Sequence, residues 1–110
     1  MARRDYFNDP NAPKADEKGE DYWKSRIGSA REDLRRNEMF RDALQTRINA
    51  LTNDFSARDD PAQRAQIADD RQKALAEMDR VAGEIDKLQK EIAAIQEEGR
   101  QAGVPAGWIR

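Results

Sequence analysis

The chain has 110 residues, room for one small domain. Charged side chains make up 38% and hydrophobic ones 37%, so little apolar material is available to bury. A formal charge of −2, from 20 basic and 22 acidic residues, removes the electrostatic case for a general binder of nucleic acid or anionic membrane. Histidine and cysteine are absent, which excludes imidazole catalysis, cysteine nucleophiles, disulfides and thiolate zinc sites together. No apolar run approaches the roughly 18–20 residues a membrane span needs, so membrane insertion is not expected.

Residues 1–15 carry Pro10 and Pro13 among Asn, Asp and Ala without periodicity, and read as a disordered, flexible N-terminal arm. The first ten residues lack the apolar stretch of a secretory signal. The default compartment is therefore the cytoplasm, with a trimmed secretory precursor as the alternative. The acidic cluster Asp16, Glu17, Glu20 and Asp21 suits the positive end of a helix dipole.

A heptad seam follows. Trp23, Ile27, Ala30, Leu34, Asn37, Arg41, Leu44, Ile48, Leu51 and Phe55 are spaced alternately four and three residues apart, with Asn37 and Arg41 its polar members. The spacing predicts a first helix over about 20–57. A turn over about 57–60 comes next. There Asp60 is a natural N-cap, Pro61 fits the first helical position and Gln63 sits where a capping-box partner would. The second helix, about 61–102, carries the same alternation through Ile67, Arg71, Ala74, Met78, Val81, Ile85, Leu88, Ile92, Ile95, Gly99 and Ala102. Gly103, Val104 and Pro105 spell a Schellman stop, leaving 104–110 as a short C-terminal tail.

The expected fold is all-α: a two-helix antiparallel coiled-coil hairpin spanning 16–103, flanked by the arm and the tail. The turn sets the register, placing Phe55 near Arg64, Leu51 near Ile67, Leu34 near Ile85, Ile27 near Ile92 and Trp23 near Ile95. Charge favours this pairing: Tyr22 to Arg58 holds 8 basic and 5 acidic residues, and Asp60 to Ala102 holds 7 basic and 10 acidic.

Tyr22, Trp23, Trp108 and Ile109 gather at the open end of such a hairpin, either as a plug that closes the core or as a docking patch for a partner. Midway along, Phe40 fills the gap beside Asn37 and Arg41, or Met39, Phe40, Leu75 and Ala82 form a second apolar stripe for another hairpin, giving a four-helix dimer. The acidic pairs Asp59/Asp60, Asp69/Asp70 and Glu97/Glu98 read as caps and solvated faces, because helix neighbours project about 100° apart. No phosphate loop, calcium loop or nucleophile elbow is present, and a two-helix rod offers no cleft. No catalytic residue, metal or cofactor is expected. The sequence points to a non-enzymatic spacer, adaptor or assembly module whose partner is another protein or a second copy. The alternative is an RNA-binding helical arm using Arg31, Arg35 and Arg36, against which Glu32, Asp33, Glu38 and Asp42 are interspersed.

Overall fold

Two heptad-patterned stretches form two helices, α1 over Glu20–Ala57 and α2 over Pro61–Gln101, followed by a single 3₁₀ turn over Ala106–Trp108. The computed structural model describes residues 18–110, so the expected N-terminal arm lies outside the described residues. α1 and α2 lie antiparallel as a hairpin. Among the described residues there is no strand.

The turn owes its sharpness to local chemistry. Arg58 leaves the helical region with φ −96° and ψ 139°, its N–H still donating to the Asp54 carbonyl at 3.1 Å. Asp60 caps α2 by accepting from the Ala62 N–H at 3.3 Å, and Pro61 occupies the first helical position, where a missing N–H costs nothing. Gln63 makes no reciprocal capping bond among the described residues.

At the other end of α2, Gly103 takes φ +77°, a conformation closed to most L side chains. Gly103 N–H donates to the Arg100 carbonyl and Val104 N–H to the Gly99 carbonyl, both at 3.1 Å. This is the expected Schellman stop, and it turns the chain back across the helix end.

Burial follows the seam but is uneven. One cluster, at the open end, joins Trp23, Ile27 and Ala30 to Ile92 and Ile95, with Leu34, Val104, Trp108 and Ile109 against it. The other, near the turn, joins Ile48, Leu51 and Ala74, with Ile67, Leu75 and Met78 against it. These clusters bring together Trp23 with Ile95, Ile27 with Ile92 and Leu51 with Ile67. The Arg64 guanidinium covers the Phe55 ring at 4.3 Å. Between the clusters α2 still buries Val81, Ile85 and Leu88, whereas α1 buries no side chain from Arg31 to Arg47. The middle of α1 is thus the least covered part of the hairpin.

Candidate functional site

The open end is built from one aromatic corner and one strap. Trp23 is 3% exposed, and burying an indole of about 150–250 Å² contributes roughly 4–6 kcal/mol, offset by about 1–3 kcal/mol because its Nε1 is buried without a hydrogen-bond partner among the described residues. Tyr22 meets it edge-on, ring centroids 5.3 Å apart. Arg26 lies over both rings and donates to Glu98 on α2 at 2.8 Å, tying the helices together. That hydrogen bond, with the Arg26 charge behind it, holds the Glu98 carboxyl below its ordinary value, and the same bond raises Arg26. The tail completes the corner. Trp108 and Ile109 are half-buried against the cluster, and Gln96 Nε2 donates to the Ile109 carbonyl at 3.0 Å.

This arrangement fits a plug. Trp23, expected at a docking patch, has almost no surface to offer a partner. Tyr22, Trp108 and Ile109 keep partial exposure at its rim. The tail also makes a feature that a bare two-helix rod lacks: a shallow recess of about 580 Å³ between α2 and the tail, lined by Gln96, Glu97, Arg100, Val104 and Ile109 among others. Within it Glu97 pairs with Arg100, and Arg110 lines the same recess.

The middle of the rod is different in kind. Met39 is 65% and Phe40 51% exposed, large apolar side chains left in water side by side. Phe40 therefore does not fill the gap beside Asn37 and Arg41. Asn37 instead donates to the Asp33 carbonyl at 2.9 Å, and Arg41 turns out to Asp42 at 3.3 Å. Phe40 borders a groove of about 310 Å³ with Ala43, Leu44, Arg47, Glu77 and Arg80.

Leu75 is not on that edge. In an antiparallel pair, the residues just before a seam position on both helices share one edge, as Arg26 and Glu98 do. Phe40 precedes Arg41, so it joins Glu77, which precedes Met78. Leu75 follows Ala74 and Ala82 follows Val81, which puts both on the opposite edge. Leu75 is half-buried there against Ile48, Leu51 and Ala74. The expected single stripe of Met39, Phe40, Leu75 and Ala82 is thus divided: Phe40 lies on one edge, Leu75 and Ala82 on the other, and Met39, two residues from both Asn37 and Arg41, on the outer face next to Phe40.

The basic residues of α1 are largely engaged. Arg35 pairs with Glu32 and Arg36 with Asp33, leaving Arg31 of that trio without an ion-pair partner among the described residues. Apart from Asp59, the acidic pairs are also in use: Asp60 caps α2, Asp69 pairs with Lys73 at 3.0 Å, Asp70 accepts from Gln66 at 3.0 Å, and Glu97 and Glu98 pair with Arg100 and Arg26. Among the described residues no three acidic side chains converge as a metal site would require. No helix among the described residues is long and apolar enough to cross a membrane.

Sequence reasoning missed the strap of Arg26 and Glu98 and the Gln96 anchor. The strap had a signal, since each residue directly precedes a seam position; the Gln96 bond to a main-chain carbonyl had none. Comparison with protein families, with curated proteins and with solved structures finds no match for this chain.

Proposed function

We propose that this chain is a non-enzymatic assembly or adaptor module, a coiled-coil rod that works by protein–protein contact along one face of α1. One observation carries the reading: Met39 and Phe40 are exposed side by side on a helix whose other large apolar side chains are covered. An exposed apolar pair on an otherwise charged rod is a liability in water unless something covers it. The nearby carboxylates Asp42 and Glu77 are held by Arg41 and Arg80, and among the described residues no acidic cluster gathers around the pair. The RNA-arm alternative is weaker, since Glu32 and Asp33 neutralise the arginines that would meet phosphate.

A photoreactive phenylalanine analogue in place of Phe40, with Gln89 as an exposed control site on α2, tests the reading in the native host. The expected result is a protein adduct from position 40 and none from position 89. Equal yields at both sites, or adducts with RNA alone, would overturn it.

A further inference from the structure

The apolar pair lies almost at the midpoint of α1, and its surroundings are patterned about it. Arg36 lies three residues before Met39 and Ala43 three after Phe40; Ser29 lies ten before and Ala50 ten after. Glu32 lies seven before Met39, and Arg47, which has no ion-pair partner among the described residues, lies seven after Phe40. We propose that this face of α1 takes a second copy of the chain, α1 against α1 in antiparallel, with the two-fold axis passing between Met39 and Phe40.

This pairing sets Met39 of each copy on Phe40 of the other. It stacks the long Arg36 stem over Ala43, and Ser29 over Ala50, so that large and small side chains alternate across the seam. It also brings Arg47 beside Glu32 and Asp33 of the other copy, twice by symmetry, where it shares the carboxylates that Arg35 and Arg36 hold within that copy. A parallel arrangement would instead face Arg47 with Arg47. Charge therefore selects the antiparallel form. Because the axis falls near the middle of α1, the rods overlap along most of that helix, about 54 Å at 1.5 Å per residue. With a helix width of about 10–12 Å, such an overlap covers roughly 600 Å² on each partner, at the lower edge of the range for specific interfaces.

The inference rests on the assembly reading and narrows it to one partner. Sedimentation equilibrium on the full chain, to about 0.2 mM, is the test, and the expected association is in the micromolar range. Phe40→Glu should weaken dimerisation at least ten-fold with helix content unchanged, since Phe40 supports no buried cluster. Arg47→Glu should weaken it likewise, and Glu32→Lys in the same chain should restore it, which a nonspecific apolar contact would not do. A chain that is monomeric throughout the range, or a dimer indifferent to both Phe40→Glu and Arg47→Glu, overturns the proposal. The cross-linking at position 40 separates the two readings: an adduct with a different protein sinks the self-pairing alone, and no protein adduct sinks both.

Discussion

Ile109 folds back so closely over Gly99 that a methyl carbon built on the glycine would lie 2.8 Å from Ile109 Cγ2 and 3.2 Å from Val104 Cγ2. Real side chains do not approach so near, so the tail occupies space that only glycine leaves. Gly99→Ala should gain about 0.5–1 kcal/mol of helix propensity and at the same time lift Ile109 from its seat. The expected outcome is faster amide hydrogen exchange over 104–110 with the hairpin still folded. Gly99→Val should release the tail more fully. Unchanged tail protection in both variants would mean that the tail does not depend on this contact.

The features legible in the sequence were those set by local chemistry. Asp60 and Pro61 start a helix through their own side chains, and Gly103 with Val104 and Pro105 stops one, wherever they stand. The four–three spacing of the seam was equally readable, because apolar side chains that recur on one stripe must be covered together. What spacing alone did not settle was which side of the seam a flanking residue takes. Phe40 and Leu75 are both neighbours of seam positions, but one precedes and the other follows, and in an antiparallel pair that difference sends them to opposite edges. The tail was readable in its direction but not in its contacts. Its seat against Gly99 depends on a missing side chain, and Gln96 meets it through a main-chain carbonyl that carries no sequence label.

Burial ranks two substitutions that the heptad pattern treats alike. Ile85 is 7% exposed, whereas Leu34 is only half-buried at the edge of the open-end cluster. Ile85→Asp places a charge in the buried seam, costing at least about 3 kcal/mol, a large part of the stability of a small domain. Leu34→Asp lets the carboxylate reach water and should cost less. Urea unfolding followed by far-UV circular dichroism reads the order directly. A larger loss from Leu34→Asp would contradict the burial pattern.

The Arg26–Glu98 strap predicts a specific pH dependence. Arg26 holds Glu98 below its ordinary 4.5, so the carboxylate stabilises the fold above that value, and the contribution is lost as pH falls below 4.5. Arg26 is shifted upward, so its own proton stays bound from acid through neutral conditions and adds no slope there. Glu77 beside Arg80 and Glu97 beside Arg100 are shifted in the same direction as Glu98. All these pairs face solvent, so the effect is modest and screened by salt. Arg26→Gln should flatten part of the acid-side decline in melting temperature, and high salt should flatten it in the parent chain. If Arg26→Gln leaves the acid-side slope as steep as before, the strap does not contribute.

Three further glycines give opposite expectations for the same change. Gly28 and Gly83 are exposed within α1 and α2, and a Cβ added at either meets nothing within 4 Å. A glycine inside a helix costs about 0.5–1 kcal/mol relative to alanine, chiefly through the freedom it loses on folding. Gly28→Ala and Gly83→Ala should each recover that amount. The two sites are far enough apart for the gains to add, for a combined rise of several degrees in melting temperature. Gly103 also has open space around its Cα, yet its φ of +77° strains any L side chain. Gly103→Ala should therefore destabilise the end of α2 by about 1 kcal/mol and loosen the tail that the Schellman turn directs. Thermal unfolding of the three variants separates backbone conformation from steric room as the deciding factor. A stabilising Gly103→Ala would mean that α2 does not end in this left-handed turn.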